Sequence, residues 1–164
     1  KDGGSTFFYF AGHTRKKDGK LCFVPCDGDA ETVITLRWIL DKLRNSESKQ
    51  HILVADAART TSEKGVSGLA PEIQTPQHTA VFLSCDKDQR SHSVEEGNRS
   101  VYTKYFLQSL NAVRKKREDK AITAETLHKQ IINRIKKWRK KTGHEQTPRL
   151  FSPQGDITIL KLNK

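Results

Sequence analysis

Apolar residues gather in short blocks along the chain, and the blocks alternate between two periods. Thr6-Phe7-Phe8-Tyr9-Phe10-Ala11 is a continuous aromatic-rich run between Gly3-Gly4 and Gly12. Apolar residues facing both ways predict a buried strand. Val33, Leu36, Ile39, Leu40 and Leu43 then recur at helical spacing, which predicts an amphipathic helix over 31–44 with Asp29 as its cap. His51-Ile52-Leu53-Val54-Ala55 reads as a second buried strand, and Thr79-Ala80-Val81-Phe82-Leu83-Ser84 as a third. Between them, 60–76 is rich in Gly, Ser, Thr and Pro and reads as a long loop. Tyr102 to Val113 predicts a helix with Tyr105, Phe106 and Leu110 on its core face. Thr123 opens another, with Leu127, Ile131, Ile135 and Trp138 as its stripe and Gly143 at its end. Ile157 to Leu162 is a last strand.

Strands alternating with helices predict an α/β fold: a mostly parallel sheet with helices on both faces. In such sheets ligands bind beyond the carboxyl ends of strands. Three stretches follow strands directly: Gly12-His13, Asp56-Ala57-Ala58-Arg59, and Cys85-Asp86-Lys87-Asp88-Gln89. A crossover helix between the first two strands, if right-handed, brings His13 and position 58 to neighbouring strand ends. A histidine beside a nucleophile is the arrangement that activates a thiol. The residue at 58, however, is alanine.

These stretches resemble the caspase-like cysteine peptidases, a superfamily that includes metacaspases, orthocaspases and CHAT-like domains. Phe8-Tyr9-Phe10-Ala11-Gly12-His13 is similar to their F-Y-x-[SA]-G-H-G motif. Leu53-Val54-Ala55-Asp56-Ala57-Ala58-Arg59 is similar to L-x-D-A-C-R, with Ala58 at the nucleophile. The interval between His13 and Ala58 is 45 positions, near the roughly 50 of caspases. Phe23-Val24-Pro25-Cys26-Asp27, Leu83 to Gln89 and Gln146-Thr147-Pro148-Arg149-Leu150 resemble L-x-P-x-D, S-x-C-x-D-D-Q and Q-x-P-x-L. Each is short, but they run in family order from residue 7 to residue 150.

The resemblance implies a cysteine endopeptidase with His13 as general base and acid and position 58 as nucleophile. Backbone N–H groups at Thr14 and Ala58 would form the oxyanion site, although Thr14 replaces the usual glycine. Asp56, two before the nucleophile, implies an S1 pocket for Arg or Lys, where true caspases carry Gln. Asp86 and Asp88 are further candidates for its negative potential. A carboxylate can hold a guanidinium in a bidentate pair; the plainer reading of Asp56 is a helix cap. Basic specificity would make Arg59, Lys64 and Arg114 to Arg117 candidate processing sites. An alanine methyl cannot attack a carbonyl, so the chain is expected to bind substrate without cutting it. It is either a natural pseudoprotease that holds a peptide or regulates a partner, or a protein whose cysteine was replaced. Retention of the surrounding motif favours the second.

Composition narrows the rest. The 164 residues suit one domain, 1–164. The resemblance implies that this domain is incomplete at its N-terminus, its first strands lying upstream or in another chain. No methionine occurs, which agrees with a piece of a longer protein. There is no signal-peptide pattern, and no apolar run approaches the roughly 18 residues that span a membrane. Cys22, Cys26 and Cys85 form no disulfide framework, and free thiols fit a cytoplasmic setting. Cys22, Cys26, His13 and Asp27 lack the second ligand pair of a zinc site, so no metal or cofactor is expected, although calcium activates many relatives. The net charge of +11 admits nucleic acid as a partner. The basic face over 129–141 is more simply a solvated surface, and no interleaved aromatics suggest base stacking.

Overall fold

The computed structural model describes residues 4–17, 20–26, 32–59, 75–86, 89–94, 99–116, 121–152 and 157–161. Three parallel strands form its centre: β1 (Ser5–Lys17), β4 (Gln50–Arg59) and β5 (Thr79–Leu83). β2 (Lys20–Val24) returns antiparallel along the distal part of β1, and β3 (Ile34–Thr35) pairs with β2. β7 (Arg149–Phe151) runs antiparallel to β5, which gives the order β3-β2-β1-β4-β5-β7. β6 (Ala121–Thr123) and β8 (Thr158–Lys161) form a separate two-stranded ribbon. Among the described residues the helices are α1 (Leu36–Arg44), α2 (Val101–Lys116) and α3 (Ala124–Thr142).

Buried residues run unbroken from His51 to Ala57 because β4 is covered on both faces. Successive side chains go to opposite sides. Ile52 and Val54 pack with Phe82, Tyr102, Phe106, Leu127, Ile131 and Ile135, the faces of α2 and α3. Leu53, Ala55 and Ala57 pack with Leu36, Ile39, Leu40 and Leu43 of α1. The α/β fold with helices on both faces of a centrally parallel sheet is therefore the observed one.

Boundaries differ from the sequence expectation in physically simple ways. β1 and β4 extend past Ala11 and Ala55 to Lys17 and Arg59, because they pair with each other as far as Thr14↔Arg59 and β2 pairs with the rest of β1, through residues that continue no apolar run. His13 and Ala58 therefore lie inside strands, not after them. α1 begins at Leu36 and is capped by Thr35, whose Oγ1 accepts the Trp38 N–H at 3.1 Å. Asp29 lies outside the described residues. α3 keeps its expected ends: Thr123 Oγ1 accepts the Thr126 N–H, and Gly143 closes it at φ 74°, a conformation that glycine adopts without strain. β2, β3, β6 and β7 are two to five residues long and are set by their partners, not by local propensity.

His128 of α3 lies edge-on to Phe82, ring centroids 6.2 Å apart. Burial, with the charge of Arg149 adding, pushes its imidazole down to about 4. It is neutral when folded, whereas the unfolded chain takes up the proton near 6.5. Stability from this group is complete above about pH 6.5 and falls as pH drops toward 4. Screening at this partly open site keeps the loss to about 1 kcal/mol at pH 5. Melting at pH 7 and pH 5 should show that drop, and His128→Leu should reduce it.

Candidate active site

Every β1–β4 pair, from Ser5↔Gln50 to Thr14↔Arg59, has the same offset. The 45-residue interval between His13 and Ala58 is thus the register of the whole ladder, and the two are direct Cα partners. Neighbouring strands lie about 4.8 Å apart. His13 is exposed and Thr14 is buried. Thr14 and Arg59 form the last pair of the β1–β4 ladder. Gly12 cannot carry a side chain without disturbance: a Cβ there would lie 2.8 Å from the Phe10 ring, which itself packs edge-on against Phe23.

Ala11↔Asp56 is two pairs back along the ladder. Asp56 is 3% exposed and joins His13 and Tyr9 in lining a cavity of about 230 Å³. A collar of hydroxyls holds the carboxylate. Ser91 Oγ donates to Oδ1 at 2.7 Å. Ser100 Oγ and Thr103 Oγ1 both donate to Oδ2, the latter at 2.5 Å. Tyr9 Oη is hydrogen-bonded to Thr103 Oγ1 and lies 3.5 Å from Oδ2. Burial raises the Tyr9 phenol above its usual range, opposed by the Thr103 bond and reinforced by the charge of Asp56, so it stays a neutral donor. Ser100 also accepts the Thr103 N–H at 2.8 Å, so Asp56 meets the first turn of α2 through the residues that cap it. The cap reading of Asp56 holds only in that indirect sense.

The chain's last resembling segment supports this pocket from behind. Gln146 is fully buried. Its Nε2 donates to Ser84 O at 2.9 Å and to Ser91 Oγ at 3.4 Å, and its Oε1 accepts the His92 N–H at 3.1 Å. Gln146 therefore fixes the turn that aims Ser91 at Asp56. Gln89 Oε1 accepts the Thr147 N–H at 2.6 Å, and its Nε2 donates to Thr147 Oγ1 at 3.2 Å, joining the same two segments. Gln146→Leu would leave the Ser84 carbonyl and the His92 N–H unpaired inside the protein. A loss of about 2–4 kcal/mol is expected in urea unfolding.

The other candidates fall elsewhere. Asp86 forms an ion pair with Arg149 and does not line the cavity. Asp88, Asp27 and Lys64 lie outside the described residues. Cys85 is buried, and burial pushes its thiol up to about 11, which makes it an unreactive packing residue and no substitute nucleophile. Cys22 is buried and Cys26 exposed. Among the described residues no group of three His, Cys, Asp or Glu is placed to hold a metal ion, and no helix is long and apolar enough to cross a membrane. Sequence reasoning missed Tyr9, Ser91, Ser100 and Thr103 as pocket residues. Only Ser100, three before Thr103 at a helix start, carried a signal, that of an N-cap.

A histidine strand and a D-x-A strand in this register, with a buried acid at their mouth, agree with one family comparison. The family model of the Peptidase C14 caspase domain matches residues 1–156. The chain belongs to this caspase-domain family. None of the curated proteins matches it. The family's chemistry at the general level is that of a cysteine peptidase.

Proposed function

We propose that this caspase-family domain has the site of a cysteine endopeptidase that cuts after Lys or Arg, and that alanine at position 58 leaves it able to bind substrate but not to cut it. One observation carries the specificity: the buried carboxylate of Asp56 lines the same cavity as His13. A negative charge held there suits a cationic P1 side chain and repels an acidic one. The metacaspase-like branch of the superfamily, with its D-x-C pattern, fits this reading better than the true caspases.

With cysteine at 58, His13 takes the thiol proton and the thiolate attacks the scissile carbonyl carbon. N–H groups at positions 14 and 58, within the last two pairs of the β1–β4 ladder, donate to the oxyanion. Collapse of the tetrahedral species breaks the C–N bond, and the imidazolium gives its proton to the leaving amine. Water, deprotonated by His13, then hydrolyses the thioester and restores the thiol. Cleavage of peptides bearing Lys, Arg or Asp at P1 by the Ala58→Cys protein tests the reading, and preference for Asp would overturn it.

The alternative, a regulatory member that holds a peptide without cutting, is compatible with an open sheet edge. Ser5 to Gly12 of β1 pair with β4 on one side, and β2 reaches only His13 to Lys17 on the other. Among the described residues no strand covers that second edge, and Phe7 and Tyr9 on it are 50% and 38% exposed. An open edge invites a further strand. We assign it to a segment of the same protein or to a partner chain, in both the active and the regulatory reading.

A further inference from the structure

The arrangement of protons around Asp56 bears on which basic residue the pocket takes. We infer that it selects lysine over arginine at P1. This rests on the reading of Asp56 as the P1 carboxylate.

Each carboxylate oxygen accepts about two hydrogen bonds. Oδ2 already receives two hydroxyls, from Ser100 and Thr103. The hydroxyl protons leave little choice. Ser100 accepts the Thr103 N–H and has two acceptors in reach, Thr103 Oγ1 at 3.1 Å and the much closer Asp56 Oδ2, so its own proton goes to the charged carboxylate. Thr103 spends its proton on Oδ2, so Tyr9 donates to Thr103 in the close bond that joins them, its 3.5 Å contact with Oδ2 being far longer. Gln146 donates to Ser91, which leaves the Ser91 proton for Oδ1. Every donor in the collar thus runs toward Asp56, and only Oδ1 keeps an open acceptor position.

A guanidinium fork needs both carboxylate oxygens at once. Here it must displace Ser100 or Thr103, and either hydroxyl then loses a buried partner. An ammonium needs single acceptors at any of several angles. Oδ1 supplies one. The oxygens of Tyr9, Ser91 and Ser100 each donate one bond and keep acceptor capacity. Arg99, which lines the same cavity, opposes both cations alike and does not decide between them.

The chain binds without cutting, so affinity is read directly. Calorimetry on the Ala58 protein should use two peptides that differ only in Lys or Arg at P1. Lysine is expected to bind about tenfold more tightly. Thr103→Val keeps the shape and removes one donor from Oδ2, so the lysine preference should shrink to about twofold or reverse. Ser100→Ala should move it the same way if the valine protein melts early. Arginine binding as tightly as lysine to the parent, or a ratio unmoved in the variants, overturns this inference and leaves Asp56 as a general cation site. Binding of neither peptide overturns both readings.

Discussion

Ala58→Cys is expected to give the chain peptidase activity, with kcat/KM on a P1-lysine peptide rising on the order of 10⁴-fold or more above the Ala58 protein. The expectation comes from register. His13 and Ala58 are Cα partners in a ladder whose offset is constant over ten pairs, so the backbone already sets the two positions side by side on neighbouring strands. Adding His13→Ala to the same protein should return the rate nearly to that of the parent, because the thiol then lacks its base. Cys85 and Cys22 add little background because both are buried, and Cys85 is held protonated near neutral pH by its raised pKa of about 11; the exposed Cys26 is subtracted with the Ala58 parent as control. Mass spectrometry of the activated protein should find new termini after Lys or Arg, for which Arg114 and Lys115 at the exposed end of α2 are candidates. A folded Ala58→Cys protein that cuts none of the Lys, Arg or Asp peptides would sink the peptidase reading and favour the regulatory one.

Much of this architecture was legible in the chain because burial and pattern coincide. β4 is apolar over its first half since both of its faces are covered, and α3 shows its caps, stripe and glycine stop in order. His13, Asp56 and position 58 were legible for a different reason: they follow apolar runs in short motifs that resemble a known family. What stayed hidden depends on tertiary pairing. Ser91 and Thr103 are ordinary polar residues until the turn after β5 and the start of α2 close over Asp56. Asp86 shows the converse. Its place after a strand made it a pocket candidate, but Arg149 on the antiparallel neighbour β7 draws it aside. No local pattern could foresee that pairing, because β7 is only three residues long.

Asp56→Asn, placed in the Ala58→Cys protein, separates the pocket from the chemistry. Asparagine keeps the shape but removes the charge that a buried cation would meet, a loss of roughly 2–4 kcal/mol for such pairs. A fall of about 100-fold or more in kcat/KM on P1-lysine peptides is expected. The collar can adapt in part. With the amide oxygen toward Ser100 and Thr103, both keep an acceptor, while the amide nitrogen faces Ser91, which already accepts from Gln146. Ser91 must turn its proton away, so a stability loss of about 1–2 kcal/mol should accompany the change. The decisive readout is one that substrate does not enter. Alkylation of the introduced thiol by iodoacetamide depends on His13 and the thiolate, not on P1 binding. Its rate should hardly change in the Asp56→Asn protein. If alkylation slows in step with cleavage, Asp56 acts on the nucleophile and the assignment of this carboxylate to the substrate fails.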